Sequence, residues 1–281
     1  MEFGWTGDPV VVYSLYQPMS SRIITLTTDF GRKDYFVGAI HGVILSIEPR
    51  ARIVDISHEI TPFSITEAAF VVAQAARWFP KGTVHMVVVD PGVGSSRRAV
   101  LAEADGQRFV APDNGVLSLV YEWGRLRVRQ IENERYFLQP LSRTFHGRDI
   151  FAPVAAHLAA GVPGARFGRL IDNYIRGSFA HPERIADRRW RGIVLQIDRF
   201  GNLITNFAVQ EFEPLLRRGF SLLAGRRRVT SIRQCYAEGK PRELFLIAGS
   251  AGYLEIASNQ RSAASLVGCA AGAEITLELS S

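Results

Sequence analysis

Two aspartates stand at positions where a carboxylate can do chemistry. Asp29 lies in the segment TDFG at 28–31, and Asp90 opens the segment DPGVG at 90–94. A carboxylate accepts hydrogen bonds from two vicinal hydroxyls, as on a ribose, although a helix cap or a turn also explains Asp29. Arg97 follows Asp90 by seven residues. We expect it to turn back and pair with Asp90, because a paired carboxylate stays ionised and oriented.

A histidine and a turn in the second half of the chain extend this set. His146 directly precedes Gly147 at the predicted start of a helix, so its ring is placed to face a cleft, although a lone histidine is more often structural. Phe200 and Asn202 lie in the turn DRFGN at 198–202. They offer a stacking face and an amide for an adenine edge, and a plain turn is the competing interpretation.

Several common signatures are absent from the sequence. It contains no P-loop, no HExxH zinc motif and no GxSxG nucleophile elbow. Gly92 and Gly94 lack the third glycine of a dinucleotide fingerprint and lead into a strand. The six histidines show no pairing at helical spacing, so no metal site is expected and a zinc or redox enzyme is disfavoured.

The first half of the chain alternates between strand and helix patterns. The predicted strands are 23–27, 52–56 and 83–89, and the predicted helices are 37–47 and 64–77. Ser64 and Glu67 have the spacing of a capping box. This alternation predicts a layered α/β, Rossmann-like domain over residues 22–182. Ligands of such sheets bind beyond the carboxyl ends of the strands, which is where Asp29 and Asp90 fall.

Short strands dominate beyond about residue 180. They are predicted at 192–197, 221–223, 243–247, 253–257 and 274–279. Their spacing predicts a small C-terminal β-barrel or sandwich, taken as a barrel domain over 190–281. Residues 181–191, which are rich in arginine, are interpreted as a linker or an exposed turn. Residues 1–21 are expected to be an N-terminal extension outside the fold, with Met19 as an alternative start.

Composition limits the classes of protein further. The 281 residues are 47% apolar and carry a net charge of +6. A basic chain suggests nucleic-acid binding through the arginines of 184–191 and 226–228. No series of aromatic residues for base stacking accompanies these arginines. We therefore interpret them as a solvated basic face and expect no nucleic-acid partner. Two cysteines indicate a reduced, cytoplasmic setting. No run of 18 apolar residues is present, so no membrane span or membrane partner is expected.

Seven segments, in this order, resemble one enzyme family. They are TDFG (28–31), DISHEITP (55–62), DPGVGSSRR (90–98), APDNG (111–115), TFHGRDIFAP (144–153), FGN (200–202) and GSAGYLEIASNQRSAA (249–264). The chain resembles, from about residue 22 to 279, the S-adenosyl-L-methionine (SAM) hydroxide adenosyltransferases, or SAM hydrolases. These are relatives of the fluorinating and chlorinating enzymes that attack the same carbon.

The resemblance implies attack at C5′ of SAM, giving adenosine and L-methionine, with SAM as substrate and no cofactor. It implies a catalytic set of Asp90, Arg97 and His146. We hypothesise that Asp90 and His146 orient the water and that Arg97 fixes Asp90; whether the nucleophile is water or a pre-formed hydroxide stays open. The implied substrate contacts are Asp29 and Phe63 at the ribose, Phe200, Asn202 and Ala263 at adenine, and Asp198 and Ser250 at methionine. It further implies a homotrimer with each site between two subunits.

Two local features differ from the halogenating relatives, and the first of them favours hydrolysis. Residues 98–109 are predicted to form a short hairpin that turns at Asp105-Gly106, where the halogenating relatives carry a longer insertion. Ala251 stands where the fluorinating enzymes have an arginine, which leaves the contact to the methionine carboxylate unassigned. A chloride-using halogenase and a non-catalytic adenosine- or SAM-binding protein are the alternative functions.

Overall fold

The computed structural model describes residues 22–217 and 219–280, and these residues form two sheets. The predicted N-terminal extension and the alternative start at Met19 lie outside the described residues. The first sheet contains β1 (Ile23–Thr28), β2 (Arg52–Ser57), β3 (Val84–Val88), β4 (Ala99–Ala104), β5 (Gln107–Pro112) and β6 (Leu126–Ile131). Its helices are α1 (Phe36–Ile47), α2 (Ile65–Ala76) and α3 (Ala152–Ala159), the last preceded by a π-helical turn at Gly147–Phe151.

The first sheet has the strand order β2-β1-β3-β5-β4-β6. Strands β2, β1, β3 and β5 run parallel, whereas β4 and β6 are antiparallel to their neighbours. The apolar strand β3 is buried along its whole length and lies in the middle of the sheet, as its sequence predicted. The predicted hairpin is also confirmed, since β4 and β5 pair around a turn at 105–106.

Helices cover both faces of this sheet because successive strand residues point to opposite sides. On one face, Met86 packs in a core with Ile40 of α1 and Val154 of α3. On the other face, Val87 packs in a core with Phe70 and other residues of α2. Burying an aliphatic side chain of this size contributes about 1.5–3 kcal/mol, so the two cores fix the strand ends relative to the helices.

The start of α2 differs from the prediction. The Ser64 side chain makes no capping hydrogen bond, so the predicted capping box is wrong. Instead, Oε2 of Glu67 accepts the Thr61 N–H at 3.1 Å, because the chain turns sharply at Phe63 (φ 66°) and brings Thr61 back over the helix.

The second sheet contains eight strands with the order β11-β10-β14-β8-β9-β13-β12, and β7 pairs with β8. The strands are β7 (Glu183–Ala186), β8 (Arg189–Ile197), β9 (Leu203–Ala208), β10 (Phe220–Ala224), β11 (Arg227–Val229), β12 (Phe245–Ala248), β13 (Tyr253–Ala257) and β14 (Glu274–Leu279). With α4 (Val209–Leu216) and α5 (Ala263–Val267), they enclose one apolar core. This second sheet is barrel-like and nearly closed. Together with the first sheet and its helices, it agrees with the predicted α/β class.

The arginine-rich segment at 181–191 forms structure rather than a linker. Strand β7 and the start of β8 pair as an exposed hairpin. Arg184 lies 2.8 Å from Asp187, and Arg191 lies 3.1 Å from Glu183. Acidic neighbours therefore offset part of this basic run, which weakens the argument for a nucleic-acid surface.

Within residues 22–217 and 219–280, no helix has the length and apolarity needed to cross a membrane. Cys235, which is exposed, and Cys269, which is partly buried, are both free thiols.

Candidate functional site

The predicted site residues of the first half meet in one pocket. Its volume is about 310 Å³. We call it the N-terminal pocket, and it is lined by Asp29, Phe30, Phe36, Pro62, Phe63, Val88, Asp90, Val93, Thr144, Phe145, His146 and Gly147. Arg97 reaches it through hydrogen bonds to two of these residues.

Sheet geometry explains why the two aspartates are neighbours. Strands β1 and β3 are adjacent and parallel, with Thr28 opposite Val88 in the register. Asp29 and Asp90 follow these strand ends by one and two residues, so both carboxylates reach the carboxyl edge of the sheet.

Asp90, Arg97 and His146 form one hydrogen-bonded group. Arg97 Nε lies 2.9 and 3.0 Å from the two Asp90 oxygens, and its Nη2 lies 2.5 Å from Oδ2. The same Nη2 lies 2.8 Å from Nδ1 of His146. The side chains of Arg97 and Asp90 are only 10% and 5% exposed, so solvent screens this ion pair weakly. The predicted pairing of Arg97 with Asp90 is therefore confirmed.

This geometry defines the tautomer of His146. A guanidinium only donates hydrogen bonds, so Nδ1 must accept and must carry no proton. The neutral ring then carries its proton on Nε2. Burial and, next, the positive charge of Arg97 lower the pKa of His146 below its usual value, which agrees with a neutral imidazole.

Gly94 allows the loop that contains His146 to approach Asp90. It has φ 77°, and a Cβ at this position would overlap the carbonyl oxygen of Arg143. Because that contact is with backbone, a side chain here cannot be accommodated by a rotamer change. The GVG part of the 90–94 segment therefore holds the 143–146 loop in place.

Asp29 and Phe63 are coupled at the other side of the pocket. Oδ2 of Asp29 accepts the Phe63 N–H at 2.9 Å. Burial raises the pKa of Asp29, while this backbone hydrogen bond opposes the rise. Phe63 is 70% exposed and has φ 66°, a conformation that costs a non-glycine residue about 1–3 kcal/mol. The strained turn presents an aromatic ring at the pocket mouth.

Four predicted residues of the second sheet region, Asp198, Phe200, Asn202 and Ser250, line a separate pocket of about 820 Å³. We call it the C-terminal pocket, and it is lined by Phe70, Gln74, Asp198, Phe200, Asn202, Ile204, Tyr236, Ser250, Ala251, Glu255, Ser258, Gln260, Arg261 and Ser262. Since Phe70 and Gln74 belong to α2, this pocket lies between the second sheet and the first. A single chain therefore divides the predicted site into two halves.

Asp198 organises the turn that carries the predicted adenine contacts. Its Oδ1 accepts the N–H groups of Phe200 and Asn202, each at 2.9 Å, and its Oδ2 accepts Nδ2 of Asn202 at 2.9 Å. The Phe200 ring is 80% exposed. A buried amide beside an open aromatic face suits a planar base, as predicted from the sequence.

Ala263 is the predicted residue that the structure does not bring to either pocket. It is fully buried at the start of α5, in the core of the second sheet. The pocket wall is formed at this point by the preceding Ser262, against which Gly201 packs closely.

Sequence reasoning missed Glu255 and Tyr236. Glu255 is a buried acid on β13 that lines the C-terminal pocket, and its Oε2 accepts the Tyr236 hydroxyl at 3.1 Å. Burial raises the pKa of Glu255, and burial together with the Glu255 charge raises the pKa of Tyr236 to about 12. An acid within the apolar pattern YLEIA is the signal that would have identified it.

Three further side chains bring metal-type donor atoms within 4.8 Å of one another among the described residues, namely His41, Asp55 and His58. They line neither pocket. Asp90 and His146 are joined through Arg97, and the Asp29 carboxylate lines the same pocket. A carboxylate and a neutral imidazole in one pocket can bind and orient a water molecule.

Comparison with known proteins identifies the family of the chain. The SAM hydroxide adenosyltransferase N-terminal domain matches residues 24–168, and the C-terminal domain of the same family matches residues 192–276. An "(R)-S-adenosyl-L-methionine hydrolase" from Salinispora tropica is 37% identical over 253 residues, covering 89% of this chain and 95% of the relative.

A fluorinase from Actinoplanes sp. is 31% identical over 218 residues, covering 68% of this chain and 73% of the relative. An uncharacterised conserved protein of known structure from Thermotoga maritima superimposes with a TM-score of 0.81 at 39% identity, covering 90% of this chain and 99% of that one. Since both family domains match in order and the relatives align over nearly the whole chain, this protein belongs to the SAM hydroxide adenosyltransferase family.

Proposed function

We propose that this protein hydrolyses SAM to adenosine and L-methionine by attack of water at C5′. In this reaction a C–O bond forms at C5′, the C–S bond breaks, the sulfonium leaves as a neutral thioether, and water loses one proton. The observation that carries the proposal is the hydrogen-bonded set of Asp90, Arg97 and His146 in the N-terminal pocket, in a chain whose relatives include named SAM hydrolases.

Substrate contacts are proposed from both pockets. Asp29 accepts the two ribose hydroxyls, and Phe63 packs beside the sugar. Phe200 stacks on adenine while Asn202 meets its edge, and Ala263 supports this region from the barrel core rather than from the pocket wall. Asp198 and Ser250 lie at the methionine end, where Asp198 attracts the ammonium group.

Water activation follows from the tautomer of His146. The Nε2–H donates to the water oxygen, and Asp90 accepts a water proton, so an oxygen lone pair is free to face C5′. Arg97 holds both partners through a single guanidinium. The cationic leaving group needs little chemical assistance, so orientation and exclusion of bulk water supply most of the rate.

Local charge favours this substrate over a polyanion. Asp29 and Asp90 line the N-terminal pocket, where Arg97 pairs with Asp90, and Asp198 and Glu255 line the C-terminal pocket together with Arg261, so acids outnumber bases at each. These acids attract a sulfonium and an ammonium group, although the whole chain carries a charge of +6. We propose SAM as the substrate, with no cofactor and no nucleic-acid partner.

The division of the site supports an oligomeric enzyme. We propose two domains, a Rossmann-like domain at 22–182 and a β-barrel domain at 190–281. We also propose a homotrimer in which the N-terminal pocket of one subunit meets the C-terminal pocket of the next. This arrangement would place the adenine and methionine contacts opposite the catalytic group, and it closes both open pockets.

Incubation with SAM in the presence of chloride, followed by chromatography, tests the reaction. We expect adenosine and L-methionine, and we expect their formation to be lost in Asp90→Asn. Formation of 5′-chloro-5′-deoxyadenosine would instead identify a halogenase, the alternative raised by the fluorinase relatives. Unchanged SAM despite measurable binding would identify a non-catalytic SAM-binding protein.

A further inference from the structure

A group of two histidines and one aspartate lies beside the N-terminal pocket without lining it. We call it the His–Asp cluster: His41 on α1, Asp55 on β2, and His58 directly after β2. Nε2 of His41 is 3.0 Å from Oδ1 of Asp55, and Nε2 of His58 is 3.2 Å from the same oxygen. Neither the proposed hydrolysis nor any substrate contact uses these residues.

His58 is held with its Nε2 directed into the cluster. Its side chain has no exposed surface, and its Nδ1 lies 2.8 Å from Oγ1 of Thr28. Within the described residues, the buried Nε2 has no hydrogen-bond partner, because its approach to Asp55 lacks hydrogen-bond geometry. A buried ring nitrogen without a partner costs free energy, so the structure maintains an unsatisfied donor or acceptor at this point.

The spacing of the donor atoms fits a metal ion. A transition metal bound at about 2.0–2.2 Å holds adjacent ligand atoms about 3.3–3.6 Å apart in tetrahedral geometry and about 2.8–3.1 Å apart in octahedral geometry. The observed separations of 3.0 and 3.2 Å are within about 0.3 Å of the tetrahedral range, so a small movement of the rings would accommodate the ion. His41 is about one-third exposed and Asp55 about one-fifth exposed, so the ring of His41 has room to adjust, and water has access to a fourth coordination position.

We propose that His41, Asp55 and His58 bind one divalent transition-metal ion, with zinc as the ion best suited to two imidazoles and a carboxylate. Thr28 acts in the outer shell: its hydroxyl accepts from Nδ1–H of His58 and leaves the Nε2 lone pair free for the ion. The ion ties α1 to the end of β2 and, through Thr28, to the residue that precedes Asp29. Its role is structural and separate from the hydrolytic chemistry.

Arg32 is the competing cation at this site. Its Nη2 lies 3.5 Å from Oδ2 of Asp55, but its side chain is largely exposed and can move into solvent. The alternative to a metal site is therefore a salt-bridged cluster in which Asp55 is shared by Arg32 and the two histidines.

Titration of the full-length, chelator-treated protein with Zn²⁺ by calorimetry tests the proposal. We expect one site per chain, a thermal unfolding midpoint that rises with zinc concentration, and visible absorption bands of a low-coordinate complex when Co²⁺ is added. His41→Ala should remove the cobalt bands and weaken binding by more than the roughly 10–100-fold typical of an outer-shell change. His181→Ala, at an exposed histidine outside the cluster, should change neither.

A second pair of variants keeps the test independent of folding defects in the first. Thr28→Val should weaken zinc binding about 10–100-fold by releasing the His58 ring. Thr27→Val is the matched control, since the Thr27 hydroxyl is equally buried and forms no hydrogen bond with the described residues. Absence of stoichiometric binding to the wild type, or equal binding in His41→Ala and wild type, would overturn the proposal. Neither result would bear on SAM hydrolysis, which is assayed separately.

Discussion

Arg97 links the acceptor and the donor that are proposed to hold the attacking water. Its guanidinium contacts both Asp90 and His146, so its removal disturbs two groups at once. Misplacement of a reacting group by about 1 Å costs about 10²-fold in rate. We therefore expect Arg97→Ala to lower kcat by at least about 10²-fold, while Arg166→Ala, at an exposed arginine, leaves it unchanged.

The pH profile of the same variant reports the state of His146. Catalysis requires the neutral ring, and burial and Arg97 lower the pKa of His146, so activity persists below pH 6.5 and falls as pH drops through the lowered pKa. Arg97→Ala removes one of the two causes, and the acid limb of kcat/KM should move to higher pH. The high-pH side should keep its shape. If it flattens instead, Arg97 stabilises a hydroxide directly rather than positioning Asp90.

For individual residues, the sequence predicted those site residues whose role follows from their spacing along the chain. The pairing of Arg97 with Asp90 and the placement of Asp29 were predicted from a turn and two strand ends. Glu255 was missed although it interrupts the apolar pattern of β13, and the His–Asp cluster was missed because no spacing rule covers it. His41 and His58 come from a helix and a strand end, and only the packing of α1 against the sheet brings their rings together.

Loops that meet through backbone atoms hold the catalytic elements together. Gly94 has positive φ and lies against the Arg143 carbonyl, so alanine there adds backbone strain of about 1–2 kcal/mol and a clash that displaces the His146 loop. We expect Gly94→Ala to lose stability and at least about 10²-fold in kcat. Gly272→Ala, at φ 82° with open space around it, isolates the strain alone and should keep full activity. Equal activity of the two variants would contradict a positioning role for Gly94.

Periodicity predicted the regular elements better than the irregular ones. The buried strands β1 and β3 were predicted because they are short apolar runs, and helix α1 because its apolar residues recur at helical spacing. Strand β9 was missed, since its polar Thr205 and Asn206 interrupt the apolar pattern directly after the predicted turn at 198–202. Asn206 tolerates burial because its Oδ1 accepts the Ile193 N–H at 2.8 Å, a tertiary contact that no local pattern reveals.

At the scale of the whole molecule, the question is whether each active site is formed by one chain or by the pockets of two neighbouring subunits. If neighbouring subunits share each site, a variant with a damaged N-terminal pocket should be rescued by one with a damaged C-terminal pocket. We expect co-refolded Asp90→Asn and Phe200→Ala/Asn202→Ala chains to restore activity at up to about one site in four, from random pairing in a ring. Refolding each variant alone is the control. Activity no higher than in these controls would place the whole site within one chain.

Net charge was a poor guide to the substrate. The value of +6 describes exposed arginines, several of them paired in the β7–β8 hairpin, whereas the pockets are lined by three aspartates and a glutamate together with Arg261. The layered first half and barrel-like second half followed from the change of periodicity near residue 180. The division of the site did not, since it depends on which surfaces the two sheets leave open.

Hydrolysis of SAM in water enriched with ¹⁸O tests the central claim most directly, because it reports both the products and the atom attacked. Attack by water at C5′ predicts L-methionine and adenosine with one ¹⁸O atom in the 5′-hydroxyl, detected by mass spectrometry and absent with Asp90→Asn. Adenosine without the label, a halogenated nucleoside when chloride is present, or SAM that stays intact would contradict the account.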